Sequence, residues 1–118
     1  MSWTVENYRD AKGNAPVEDF VRNMLRRDQG HIAWTVELLK EYGVQLRMPY
    51  ARHLEGKLWE LRVRTGSNTH RVIYFAHTGR RFILLHGFTK KTDKTQRREL
   101  ELARKRMMDF LSRDEGGG

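Results

Sequence analysis

Four side chains in the second half of this chain carry chemistry suited to a phosphate: Arg71, His86, Lys90 and Lys91. A guanidinium grips a phosphate through paired hydrogen bonds. An imidazole moves protons near neutral pH. Ammonium groups stabilise negative charge as it develops. The spacing places them together. Residues 71–76 and 81–88 read as strands around the turn His77-Thr78-Gly79-Arg80. With Thr78-Gly79 at the turn, Phe75 faces Phe82, Ile73 faces Leu84 and Arg71 faces His86. Cross-strand neighbours have Cβ atoms about 5 Å apart, so Arg71 and His86 would share one sheet face and reach one phosphate. The second strand empties into a basic, Thr-rich segment, 89–95, that holds Lys90, Lys91 and Lys94. A small sheet with cations at its edge suits a polyanion.

The remaining elements must position that edge. Residues 58–64 form a further strand, with Trp59, Leu61 and Val63 on one face and Glu60, Arg62 and Arg64 on the other. The apolar face should meet helices, and the polar face water or a ligand. An edge strand is expected over 3–8 and a helix over 16–27, where Val17, Phe20, Val21, Met24 and Leu25 recur at helical spacing after Pro16. Residues 28–30 break it, and a second helix runs over 31–42 to a stop at Gly43. The two read as a helical hairpin on the sheet. Pro49 makes 44–56 irregular. A last helix, 95–111, buries Leu100, Ala103 and Met107 and turns Arg97, Arg98, Arg104, Lys105 and Arg106 outward. Trp34, Trp59 and Tyr74 read as core, and His31, His53, His70 and His77 as surface, loop or connector residues. The fold class is α+β: a small, mostly antiparallel sheet with an N-terminal helical hairpin and a C-terminal helix.

The 118 residues fit one domain, over 1–112, with a disordered tail at 113–118. No apolar run is long enough to span a membrane, and the N-terminus lacks the pattern of a secretory signal. Without cysteine there is no disulfide framework, so a cytoplasmic protein is expected. Net charge is +8, and the stretch 80–106 holds ten basic against three acidic residues, +7 of the total. Clustering of this kind points to nucleic acid, an anionic membrane or an acidic protein.

The ordered set Gly-Lys-Leu-Trp-Glu-Leu-Arg, Arg-Val-Ile-Tyr-Phe and Leu-Leu-His-Gly-Phe, followed by Lys-Lys-Thr-Asp-Lys-Thr, resembles the RelE/HigB superfamily of bacterial toxins, in particular its phage-derived HigB-like branch. The resemblance covers residues 17–111. It implies helices on one face of the sheet and the toxin half of a type II toxin–antitoxin module. Such toxins enter the ribosomal A site and cut messenger RNA. A cognate antitoxin, often with a helix-turn-helix domain, holds them inactive.

On that resemblance the chemistry is metal-independent and needs no cofactor: a base takes the 2′-OH proton, cations stabilise the phosphorane, and an acid protonates the leaving oxygen. Arg71 would hold the phosphate, His86 act as base or acid, and Lys90 and Lys91 stabilise charge. Glu60 and Arg62 lie on the polar strand face, and Lys57, Lys94, Arg97 and Arg98 would hold flanking RNA or ribosome. The chain departs from well-known members, which carry lysines on the strand matching residues 58–64 and an aromatic hydroxyl in the last helix; here that strand has Glu60 and the last helix has no Tyr. Two other readings use the same fold: a basic module that binds nucleic acid or antitoxin without catalysis, and a ParE-like inhibitor of DNA gyrase.

Overall fold

Two consecutive apolar runs determine the architecture. Val72, Ile73, Tyr74 and Phe75 are all buried, as are Phe82, Ile83, Leu84 and Leu85. Strand side chains alternate between faces, so an unbroken buried run requires cover on both sides. The computed structural model, which describes residues 2–90 and 94–116 with side chains through Asp114, supplies that cover. Its strands are β1 (Thr4–Asn7), β2 (Ala51–Glu55), β3 (Leu58–Thr65), β4 (Asn68–His77) and β5 (Arg81–Lys90). Its helices are α1 (Pro16–Arg22), α2 (Arg26–Tyr42) and α3 (Arg97–Gly116). The sheet order is β1-β5-β4-β3-β2.

One face packs Val17 of α1 and Leu39 of α2 on Leu61, Val72, Tyr74, Phe82 and Leu84. The other packs Leu100, Ala103 and Met107 of α3 on Leu58, Ile73, Phe75, Ile83 and Leu85. The helices therefore lie on both faces, not on one. The polar face expected for Glu60 is roofed by α3.

The α+β class holds, with three differences in arrangement. The sheet is mixed, because β1 runs parallel to β5. Trp3, just before β1, stacks on Phe82 with ring centres 4.3 Å apart and fastens this edge. The first two helices are not a hairpin: α1 lies over β5 and α2 over β3. The break also falls earlier than expected, at residues 23–25, where the Asn23 side chain turns back to donate to the Asp19 carbonyl. Asp28 then suits the positive first turn of α2, and Gly30 is absorbed in its interior. Finally, residues 51–55 form an edge strand, antiparallel to β3. The α3 helix continues past residue 112 to Gly116.

The β4–β5 register differs from the Arg71–His86 pairing. Arg80 takes a positive φ of 57° beside Gly79 at 78°, so the loop holds three residues and Tyr74 faces Leu84. A bulge at Leu85 then sets Ile73 opposite His86 and Arg71 opposite Phe88. The two single shifts add to two residues. Arg71 and His86 therefore remain on one face, offset diagonally.

Gly87 marks the tightest packing between α1 and the sheet. A Cβ there would lie 2.3 Å from Phe20 Cδ2. Gly87→Ala should lower unfolding free energy by about 1–3 kcal/mol in urea titration. Added to Phe20→Ala, the same change should cost much less, since the obstructing ring is gone.

Candidate functional site: a polar row beneath the first turn of α3

The α3 face of the sheet carries a polar row across β2, β3 and β5. Register sets Arg52 opposite Glu60, Glu60 opposite Ile73, and Ile73 opposite His86. One step toward the sheet's rim, Arg62 faces Arg71 and Arg71 faces Phe88. At the rim itself Lys90 faces Thr69. Two side chains at the start of α3 reach down onto this array.

Thr95 is the first. Its hydroxyl donates to Glu60 Oε1 at 2.8 Å and accepts from Arg71 Nη1 at 3.0 Å. Arg52 Nε donates to Glu60 Oε2 at 2.9 Å, and an Arg71 nitrogen lies 3.8 Å from the same oxygen. Glu60 and Arg71 are both 0% exposed. A buried carboxylate persists only when paired and hydrogen-bonded, and here two guanidinium groups and a hydroxyl converge on it. Arg71 is thus the strand-embedded partner of Glu60 and Thr95, not a surface phosphate clamp.

Glu99 is the second. Its Oε1 accepts from His86 Nε2 at 2.7 Å, and Arg106 Nη1 donates to His86 Nδ1 at 3.1 Å. With Nδ1 accepting, the proton sits on Nε2 and the ring is neutral. Burial pushes the imidazole below its ordinary value; the Glu99 hydrogen bond opposes this and the Arg106 charge reinforces it. Burial alone would raise the Glu99 carboxyl, but the His86 hydrogen bond, helped by Arg98 and Lys90, leaves it below the usual range. Lys90 Nζ stands 3.9 Å from Glu99 and links this pair to the rim.

Between β2 and the start of α3 lies an open cleft of about 450 Å³, lined by Arg52, Leu54, Lys94, Thr95 and Leu100. Its floor continues into Glu60 and Arg71. The structure therefore gathers Glu60, Arg71 and Lys94 here, with Lys90 and His86 beside them on the same face. Arg62 joins through its pairing with Arg71. Lys57 does not: it sits in the turn before β3, at the opposite end of that strand from the rim. Arg97 and Arg104 both turn to Glu55, and Arg98 lies 3.5 Å from Glu99. Lys91 lies outside the described residues. The basic stretch 80–106 is therefore not one patch, since Arg81 is also engaged by Glu6 and Asp114 and Arg106 by the Leu85 carbonyl.

Sequence reasoning missed Arg52 and His70. Arg52 stands three residues from Glu55 in the chain, yet its partner is Glu60 across the ladder. His70 is buried, not a loop residue. Its Nε2 lies 3.0 Å from Thr65 Oγ1 and 3.2 Å from Asp28 Oδ2, and its Nδ1 lies 2.8 Å from Thr89 Oγ1. It ties α2, β3 and β5 together immediately behind Lys90. The alternation of Thr69, His70 and Arg71 was the available signal.

Removing Arg71 leaves a buried carboxylate short of a partner. Arg71→Ala should cost about 3–5 kcal/mol. Arg71→Met combined with Glu60→Gln should cost less than Arg71→Ala alone, because both charges leave together; equilibrium unfolding measures each. The depressed His86 value gives a separate signature. The unfolded ring protonates first as pH falls through about 6.5, so the unfolded state then binds more protons and stability declines. Above that pH the contribution is complete. Against wild type, His86→Gln should show a shallower loss of stability between pH 7 and about 5 in denaturation at stepped pH.

Among curated proteins none matches the chain. The family model described as Phage derived protein Gp49-like (DUF891) matches residues 19–108. That span runs from α1 to the core-facing half of α3. It takes in Arg52, Glu60, Arg71, His86, Thr95 and Glu99, the whole polar row and both anchors. With three quarters of its length in that match, the chain belongs to the phage-derived Gp49-like family.

Proposed function

We propose that this protein is the toxin of a type II toxin–antitoxin module, one that cuts messenger RNA in the ribosomal A site and is held inactive by a cognate antitoxin. Family membership supports the toxin role. The observation that carries the nuclease reading is the cleft: Arg52, Lys94 and the Thr95 hydroxyl line one opening above Glu60 and Arg71. Cations around a hydroxyl and a braced carboxylate form a phosphate-sized recess. They act as preorganised electrostatics, which supply much of the catalysis in phosphoryl transfer.

In this reading Arg52, Lys90 and Lys94 meet the RNA phosphates, and Lys91 keeps the charge-stabilising role expected of it. Arg71 is a positioning residue that fixes Thr95 and Glu60. His86 is the proton acceptor. Its neutral ring is the form a base requires: Nε2 keeps the proton it donates to Glu99, and Nδ1 takes the 2′-OH proton once Arg106 gives way to the RNA. Arg62 holds the strand beyond the scissile position, and Arg97 and Arg98 face the ribosome. Lys57, at the far end of β3, is left to flanking contacts. The cleft offers no base-reading pocket, so the ribosome supplies the geometry of the message. A toxin acting on translating ribosomes is cytoplasmic in this reading, with a single domain over 1–112.

In a reconstituted translation system, the protein should cleave message on the ribosome and leave naked RNA intact. Lys90→Ala with Lys94→Ala should lower kcat/KM about 10- to 100-fold, the loss of two charge-assisted contacts, with an unchanged Tm. Antitoxin should abolish cleavage. Intact message alongside DNA damage on expression would transfer the fold to the gyrase reading and sink this one.

A further inference from the structure

A second concavity opens at the edge of β3, on the side away from α3. Its volume is about 310 Å³, and its walls come from α2, the segment before β2 and the end of β3. Trp34 was expected in the core. It is instead 55% exposed, on the outer side of α2. Met48, opposite it, is 56% exposed. Tyr50 meets Trp34 edge to face, with ring centres 5.8 Å apart and planes at 72°. Large apolar groups clustered in one exposed concavity mark a binding groove.

The other wall is basic. Arg62, Arg64 and His31 line the groove, and none of its lining residues is acidic. Flat aromatic surface beside cations is the combination that binds single-stranded nucleic acid: bases stack on the rings while phosphates meet the charges. An acidic groove would have favoured the basic partner instead. Tyr50, just before β2, lines the groove, and Arg52, within β2, lines the cleft. Arg62 borders the groove and faces Arg71 across the ladder.

We propose that the Trp34–Tyr50 groove is a nucleobase-stacking subsite, taking an unpaired base on its rings and the flanking phosphates on Arg62 and Arg64. The proposal rests on the RNA-cleavage reading for its biological setting, but its test does not. Hexa-adenylate RNA titrated into the intact protein should quench tryptophan fluorescence. Trp34→Leu should remove that quench and weaken binding about 10-fold, and the exposed position leaves the fold intact. Trp34→Phe should recover most of the affinity, since a ring still stacks. The same oligonucleotide with abasic ribose throughout should bind wild type and Trp34→Leu equally. Equal affinity of wild type and Trp34→Leu for hexa-adenylate would overturn the assignment. So would quenching by a cognate antitoxin peptide with none from RNA, which would give the groove to the antitoxin. Because no ribosome enters this titration, a quench without message cleavage would fail the nuclease reading and keep the subsite, and cleavage without a quench would do the reverse.

Discussion

The Glu60 carboxylate is the point on which the two halves of the fold are joined. It lies fully buried on a central strand, where an ionised group has no water to solvate it. Arg52 from the edge strand, Arg71 from the neighbouring strand and Thr95 from the start of α3 all come to it. Each brings a different element to one place. The hydrophobic cluster under Leu100, Ala103 and Met107 holds α3 against the sheet, but apolar packing has no direction and would tolerate a sliding helix. Hydrogen bonds to a fixed carboxylate do not. Glu60 therefore sets where α3 begins, and with it where Lys94 projects.

The same requirement accounts for the shape of the sheet. A polar row roofed by a helix needs partners brought to it at fixed positions, and β5 meets this by bulging at Leu85. The bulge turns His86 onto the α3 face beside Leu85 instead of away from it. Glu99 and Arg106 then meet the two ring nitrogens, so every polar atom of the imidazole has a partner. On the opposite face His70 plays a parallel part with Asp28, Thr65 and Thr89. Two histidines, one on each side of the sheet, fasten helices to the two strands that lead to the rim.

Much of this was legible in the sequence. Periodicity located β3, β4, β5 and the core side of α3, and strand parity placed Arg71 and His86 on one face. Four things were not, for physical reasons. The runs Val72–Phe75 and Phe82–Leu85 were read as alternating strands, although an unbroken apolar run already requires cover on both faces. The register rested on an assumed two-residue turn, and Arg80 at positive φ is a conformation that no local preference for arginine announces. The Arg52–Glu60 pair stayed hidden, because pairing along the chain is visible and pairing across a ladder is not. Trp34 failed in the opposite direction: a tryptophan at helical spacing is core by default, and only the path of residues 46–50 leaves it open.

Charge shows the same lesson at larger scale. A dense basic stretch in sequence suggests a basic surface, but density along a chain does not fix direction in space. Arg81, Arg97, Arg104 and Arg106 are engaged by Glu6, Glu55, Asp114 and the Leu85 carbonyl of the same molecule. They lie on the stretch because α3 must be fastened to a sheet whose own edges carry carboxylates. Other cations stand at exits from elements: Lys90 where β5 ends, Lys94 before α3, Arg64 where β3 ends. These points lie at one end of the sheet because antiparallel neighbours alternate direction, so β3 finishes where β4 starts and β5 finishes there again. The basic rim is thus a consequence of topology, and the arginines fastened to carboxylates help keep that topology in register.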